Sequence, residues 1–411
     1  MQVYNLITII VVLTAAFGYI NFRFIKLPGT IGIMIISLVA SLSVIGVGHF
    51  HPEFFRKTID LISSVDFDTA LMKVMLSFLL FAGAIHIDVR RLKKQLTSVI
   101  AFATIGTILS TFIVAALLHV VTMWLLIPLP FIYCLLFGAL ISPTDPIAVL
   151  GILKEAKIAP SLEMKITGES LFNDGVAVVI FLAILEIIDV GIQNVSAGQI
   201  VWLFIKEAGG GVLYGCLLGY IAFLALRSID RYIIEVGITL AIVMGGYSLA
   251  NYLHVSGPLA MVVAGLITGN KSRAFGMSDT TRDYVDKFWE MLDEFLNGIL
   301  FLLIGFEMLI VHFSSLILWL GIICILIVLL ARLISVAIPI FVLRYRNTFE
   351  KHAVFILTWG GLRGGISVAL ALSLPKSIIS DVFVSVTYIV VLFSIIVQGL
   401  TIGRVAKKLA E

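Results

Sequence analysis

The sequence predicts an all-α integral membrane protein of about thirteen transmembrane helices, built as two six-helix halves of inverted topology. Three observations carry that prediction. The 411 residues are 60% hydrophobic and only 13% charged, with a mean hydropathy of +1.13, whereas soluble domains carry roughly 25% charged residues. Lysine and arginine alternate between rich and poor segments from one apolar stretch to the next. Two apolar stretches, at matching places in the two halves, are interrupted by proline or glycine.

A membrane-crossing helix needs about 20 mostly apolar residues. Such stretches fall at 2–20, 29–48, 69–87, 96–123, 130–151, 167–189, 199–226, 233–253, 257–269, 288–312, 315–343, 353–374 and 382–403. What remains holds no soluble domain, so residues 1–411 form one transmembrane unit. Met1 to Ile20 lacks a basic leading region and a small-residue cleavage site, and reads as a first span and not as a signal peptide. The ninth span is short and opens on Gly257-Pro258. The long eleventh is expected to tilt or to run past the bilayer edge.

Thirteen spans put the termini on opposite sides. With a cytoplasmic C-terminus, the cytoplasmic segments hold Arg23, Lys26; Arg90, Arg91, Lys93, Lys94; Lys154, Lys157, Lys165; Arg227, Arg231; Lys271, Arg273, Arg282, Lys287; Arg344, Arg346, Lys351; and Arg404, Lys407, Lys408. That is 21 of the 28 basic residues, against three (Arg56, Lys57, Lys376) in the outer segments. The excess of basic residues in cytoplasmic loops then places the N-terminus outside.

A net charge of +3 gives no reason to expect a nucleic-acid partner. Cys134, Cys216 and Cys324 lie inside apolar runs without metal-ligand spacing and read as packing residues. An intramembrane enzyme would need a metalloprotease His pair, a nucleophile elbow or paired aspartates on separate helices, and none is present. No cofactor is called for. Of the seven histidines, His86 and His352 fall at cytoplasmic helix ends and His49, His51, His119, His254 and His312 toward the outside, where single histidines are usually just solvated.

Ionisable groups inside the spans say more. Lys73, Lys206, Arg332 and Arg363 are the intrahelical cations, and the acids include Asp145, Glu169, Asp174, Glu207, Glu235, Asp293, Glu294 and Glu307. Each costs at least ~2.5–3.5 kcal/mol to insert at bilayer depth, so such groups are kept for pairing or transport. Together they point to a polar pathway.

The fifth span carries Ser142-Pro143-Thr144-Asp145-Pro146, and two prolines three apart break a helix. The twelfth carries Gly360-Gly361-Leu362-Arg363-Gly364-Gly365. Broken backbone is tolerated at membrane depth only where protein or a water-filled cavity receives it. With spans 1–6 and 8–13 as halves and span 7 as linker, both breaks occupy the fifth position of their half. The offset of seven inverts one half relative to the other. Paired interruptions of this kind mark a transporter's midplane site, although two kinks in packing helices would be the plainer reading.

The sixth span opens with Thr167-Gly168-Glu169-Ser170-Leu171-Phe172-Asn173-Asp174-Gly175. Ser170 and Asp174 share one helix face and Glu169 and Asn173 the neighbouring stripe. Oxygen ligands suit a hard monovalent cation, and one carboxylate that holds either that cation or a proton suffices for exchange. The blander possibility is a helix N-terminus with Glu169 complementing its dipole. Arg332 could neutralise Glu169, leaving Asp174 free. Arg363 could sit at the C-terminal end of a half-helix, and Asp145 at an N-terminal end.

At these residues the chain resembles the NhaP/NHE-type sodium/proton antiporters, the electroneutral branch of the monovalent cation:proton antiporters. The matching segments are Gly138 through Pro146, Gly168 through Gly175, Leu330-Ala331-Arg332 and Gly360 through Gly364. The resemblance implies exchange of sodium or lithium for protons in the cell (plasma or inner) membrane, by a homodimer whose core domains contain crossed broken helices and move like elevators. Carried over by position, Asp174 binds cation and proton, with Asn173 beside it and Thr144, Asp145 and Ser170 as ligands or supporting groups. Glu169 and Arg332 form a structural ion pair, and Arg363 supports the second break. Asn173, where electrogenic relatives have a second aspartate, implies one cation per proton. The division expected is a core of approximately 69–189 and 288–403 without 315–343, and a dimerisation scaffold of approximately 1–48, 199–269 and 315–343.

One position departs from the pattern. Some relatives have an acidic residue in the segment matching Leu80-Phe81-Ala82-Gly83, where this chain has Ala82. A potassium/proton antiporter of the same fold is the runner-up reading, and a passive cation channel stands further off.

Overall fold

The computed structural model describes residues 2–63, 70–125, 129–146, 158–191, 196–272, 277–311, 313–345 and 349–410, together with Val149 and Leu153. These residues are helical almost throughout, with no strand among them. Among the described residues every predicted span coincides with a helix, the twelfth with a pair of half-helices and the fifth with a helix over its first half. They are α1 (Gln2–Ile20), α2 (Gly29–Gly48), α3 (Pro52–Ser63), α4 (Leu76–Ile85), α5 (Val89–Trp124), α6 (Phe131–Ile141), α7 (Pro160–Val190) and α8 (Gly198–Arg227). Then come α9 (Tyr232–Tyr252), α10 (Gly257–Ile267), α11 (Asp279–Glu307), α12 (Ser315–Leu343), α13 (Ala353–Trp359), α14 (Gly365–Leu372) and α15 (Ile379–Leu409). Eight of these are long and apolar enough to cross a membrane unaided. Tyr4, Val12, Trp202, Leu213, Leu326 and Phe341 are each more than half exposed, an apolar exterior suited to lipid.

Hydropathy finds only the part of a helix that lies in lipid, so three helices start earlier than expected. α5 begins at Val89 and not 96, capped by the Asp88 carboxylate, which accepts the Arg90 N–H at 2.8 Å. α7 begins at Pro160 and not 167, with proline in the first turn, where its missing N–H costs nothing. α11 begins at Asp279 and not 288, capped by Ser278. The glutamate-to-aspartate stretch of the sixth span therefore lies several turns inside α7, which removes the reading of Glu169 as a helix-terminal residue. One helix was not expected at all. The outer segment with Arg56 and Lys57 forms the amphipathic α3. Lys154, Lys157, Arg273, Arg346, His312, most of the second half of the fifth span and the side chain of Lys73 lie outside the described residues.

The helices pack as two sets. In one, α6 lies on α5 and α7, α12 on α5, α13 and α15, and α14 on α15 and α6. In the other, α10 lies on α4, α8 and α9, while α11 lies on α1, α2, α4 and α9. The closest approaches depend on glycine. A Cβ at Gly138 would strike the Thr111 backbone in the first set, and one at Gly269, just past α10, would strike the Ile85 carbonyl in the second. The sets meet where α7 touches α8 and α10 and where α14 touches α11 and Ala70–Met75, the helical segment that leads into α4. Both helix breaks lie in the first set.

Candidate functional site

α6 stops at Ile141, and Ser142 to Pro146 continue as non-helical chain. α13 stops at Trp359, and the helix resumes only at Gly365. The two interruptions cross. The Asp145 N–H donates to the Leu362 carbonyl at 2.8 Å, joining one break to the other through the backbone. The Arg363 guanidinium donates to the carbonyls of Ser142 and, at 3.0 Å, of Pro143. It thus covers the C-terminal end of α6, the half-helix of the opposite break, whose free carbonyls carry partial negative charge. Asp145 answers in kind. Its side chain packs against Gly364, the residue that caps α14, so an anion faces a helix N-terminus. A Cβ at Gly364 would collide with it.

The open end of α13 is closed by residues the sequence reading passed over. The Gln398 amide donates to the Trp359 carbonyl at 3.0 Å. Ser394 Oγ donates to Gln398 Oε1 at 2.8 Å and accepts the Arg363 N–H at 2.9 Å. Their signal was two polar residues four apart in an otherwise apolar stretch of α15.

Helix α7 brings the remaining groups to this crossing. Glu169 is buried and paired with Arg332 of α12 through both guanidinium nitrogens, Nη2 to Oε2 at 3.0 Å. Arg332 also donates through Nε and Nη2 to the Leu357 carbonyl of α13, at 3.3 and 3.2 Å. Asn173 is wholly buried and turned toward the first break. Its Nδ2 donates to Thr144 Oγ1 at 2.7 Å, and its Oδ1 accepts the Thr144 N–H at 3.4 Å. Thr144 and Ser170 share a hydroxyl–hydroxyl bond of 3.0 Å.

Asp174 differs from these neighbours. It is 7% exposed, and among the described residues nothing is hydrogen-bonded to its carboxylate. It feels the charge of Asp145, and both line a cavity of about 650 Å³. That cavity opens past Thr167 and Met164 of α7, His86 of α4, and Asp286, Glu290 and Asp293 of α11, with Asp88 and Arg91 at its exposed end. Of the five residues expected at the cation site, then, Asp174 and Asp145 face the cavity. Thr144, Ser170 and Asn173 stand behind them in a hydrogen-bonded group. Ala82 lines the same cavity, so the departure from the family pattern leaves a wall without an acid there.

A second tie lies at the end of α7 nearer the cavity mouth. Lys165 is fully buried, with its ammonium 3.1 Å from Glu350 and over the ring of Phe349. The Ser161 hydroxyl donates to the same carboxylate. Burial pushes the Glu350 carboxyl up, but Ser161 and Lys165 outweigh it and hold that carboxyl below its ordinary value.

Two crossed helix breaks, compensated end against end beside a buried carboxylate that faces a cavity, define a secondary transporter of the inverted-repeat class. Residues 11–408 match the model of the family described as sodium/hydrogen exchanger, transmembrane, and the chain belongs to that family. It is 48% identical to the Na(+)/H(+) antiporter NhaP of Pseudomonas aeruginosa over 98% of this chain and 96% of that one. It is 33% identical to the Na(+)/H(+) antiporter NhaH of Halobacillus dabanensis over 94% and 93%. The fold matches the structure of the sodium proton antiporter MjNhaP1 from Methanocaldococcus jannaschii at pH 8, with a TM-score of 0.74 and 21% identity over 100% of this chain and 99% of that one.

Proposed function

We propose that Asp174 is the group for which sodium and a proton compete, and that this competition couples the two flows in an electroneutral 1:1 exchange. The chain is a multi-pass sodium/proton antiporter; the open question is how its residues do the work. One observation carries the reading: the Asp174 carboxylate is buried, faces the cavity and has no protein hydrogen-bond partner among the described residues. A bare anion there costs several kcal/mol of desolvation. The carboxylate is therefore crossed from one face to the other only when neutralised, by sodium or by a proton. That restriction is the coupling.

Asp145 contributes a second oxygen source at the cavity, and Thr144 and Ser170 supply hydroxyls once the cation pulls their mutual bond apart. Asn173 cannot titrate. It fixes Thr144, and through it the first break, to the helix that carries Asp174. Glu169–Arg332 and Arg363 hold the crossing together.

The packing favours a moving body made of α5, α6, α7, α12, α13, α14 and α15, with the other set as scaffold. This differs from the sequence expectation, which put 315–343 with the scaffold and 69–87 and 288–312 with the core. The exposed apolar faces of the scaffold suit lipid and a second copy of the chain, as a homodimer in the plasma or inner membrane. With the N-terminus outside, the cavity faces the cytoplasm.

The test is a proteoliposome assay with a pH-sensitive dye and separate pulses of sodium, lithium and potassium. Wild type should alkalinise or acidify the lumen on a sodium pulse, and Asp174→Asn should be folded and silent. The sodium gradient at which proton flux reverses should equal the proton gradient at any imposed voltage. A voltage acts on net moved charge at about 2.3 kcal/mol per charge per 100 mV, so a reversal point that moves with voltage would mean that a second group, Asp145 first, also carries protons. Proton-coupled sodium flux in Asp174→Asn would overturn the assignment.

A further inference from the structure

We propose that Asp293 of α11 is a loading residue that attracts the cation to Asp174 from the cavity face alone, and so sets the sodium affinity of one side of the membrane without touching the other. This rests on Asp174 being the carrier group.

The geometry begins with helix periodicity. Asp286, Glu290 and Asp293 are spaced four and three residues apart, which puts them on one face of α11. All three line the cavity that also contains Asp145 and Asp174. At about 1.5 Å per residue, Asp293 stands about 10 Å further along the helix than Asp286. It is within electrostatic reach of Asp145. Among the described residues no lysine or arginine is paired with it. Its partner is neutral: the Nδ2 of the buried Asn297, one turn on, donates to Asp293 Oδ1 at 3.1 Å. That bond fixes the carboxylate's direction and leaves its second oxygen available. A cation that enters the cavity thus passes along one helix face to a carboxylate that shares the cavity with Asp145 and Asp174.

The two carboxylates also belong to different sets of helices. Asp293 rides on α11, packed on α1, α2, α4 and α9, whereas Asp174 rides on α7, packed on α5 and α6. When the core carries Asp174 to the opposite face, Asp293 stays behind. It acts on loading and release at the cavity face and contributes nothing to the other. A group that served only to hold the fold would affect both faces.

The experiment measures sodium-driven proton flux from each face in oriented proteoliposomes for wild type, Asp293→Asn and Asp293→Glu. Asp293→Asn should raise the sodium KM at the cavity face about three- to tenfold, the order expected for removing one unit charge that shares a wet cavity with the binding group. The maximal rate and the opposite-face KM should not change. The difference should shrink as choline chloride raises ionic strength, since the Debye length falls to about 8 Å at 0.15 M. Asp293→Glu should restore the KM to near wild type. An unchanged KM in Asp293→Asn, or a KM raised equally from both faces, overturns the proposal. Should Asp293→Asn not reconstitute, Glu290→Gln gives the same one-sided shift in smaller measure, and a two-sided shift or none there is equally fatal. Asp174→Asn, run in parallel, separates the two readings: flux in that variant would remove the carrier assignment, whereas its silence beside a normal Asp293→Asn removes only this one.

Discussion

Arg332→Ala should destabilise the protein far more than a surface change, and the structure gives the size. Glu169 and Arg332 are both buried, in a two-pronged pair. Removing one partner of a buried ion pair leaves an uncompensated charge, at a cost of about 3–5 kcal/mol. Arg332 also holds the Leu357 carbonyl near the end of α13, so the same substitution loosens the second break. Unfolding entropy is about 2.1 cal/mol/K per residue, or near 0.9 kcal/mol/K if the whole chain of 411 residues unfolds together. The expected fall in melting temperature in detergent is then about 4–6 °C. Changing both residues, Arg332→Met with Glu169→Gln, removes the stranded charge and should recover part of that fall. Thermal unfolding followed by tryptophan fluorescence, with transport measured on the same preparations, checks both. A single variant that melts like wild type but does not transport would refute the structural assignment and put Arg332 in the transport cycle.

Gly364→Ala should cut exchange about fivefold or more, because the new Cβ meets the Asp145 side chain, its Cγ at 2.7 Å, and overpacking there costs about 1–3 kcal/mol. Gly46→Ala, with nothing within 4 Å of the added carbon, should exchange normally in the same flux assay, and equal activity of the two would sink the steric reasoning. Glu350→Gln should lower thermal stability at neutral pH by about 3 kcal/mol, because it leaves the fully buried Lys165 ammonium without its counter-charge. Because the folded carboxyl titrates below its ordinary value, this contribution is full above the unfolded value of about 4.3 and is lost as pH falls through the folded one. The gap between wild type and Glu350→Gln in melting scans should therefore hold from neutral to mildly acidic pH and close only below about 4.3; a gap that closes already near pH 6 would contradict it.

Most of the fold was legible because lipid imposes a simple rule on helices, and among the described residues the apolar stretches coincide with helices for that reason. The missed starts of α5, α7 and α11 lie outside that rule, in water, where Asp88, Pro160 and Ser278 were the readable capping signals. α3 escaped because an amphipathic helix is too polar on average for a hydropathy search to register. At the site, residue type predicted that charges would be matched: arginine with glutamate, and a charge at each helix break. It could not predict the exchange of partners across the crossing. Arg363 lies in the second break and serves the end of α6 in the first, which depends on two chain segments far apart in sequence meeting at one point. The direction of the Asn173 amide was hidden for the same reason. Its place beside Asp174 in the sequence suggests a shared ligand role, yet one residue along a helix is a turn of about 100°, and its amide faces Thr144 while Asp174 faces the cavity.

Repeat symmetry explains why the packing divides the helices as it does. With a seven-span offset, the third span corresponds to the tenth and the fourth to the eleventh. A division that takes the fourth span into the core must take the eleventh, which carries Arg332. Leaving 315–343 in the scaffold would put Glu169 and Arg332 on bodies that slide past each other, and every cycle would break a buried ion pair costing several kcal/mol. Placing α12 in the core keeps that pair, the Arg332–Leu357 bonds, the Arg363 bonds to Ser142 and Pro143, and the Asp145–Leu362 bond all within one moving body. The third and tenth spans, α4 and α11, then stay with the scaffold and form the cavity wall opposite Asp174. In the proposed movement the core travels as a unit because its polar bonds close on themselves, and the groups left across the gap, His86 and the carboxylates of α11, are those that water and a cation can solvate.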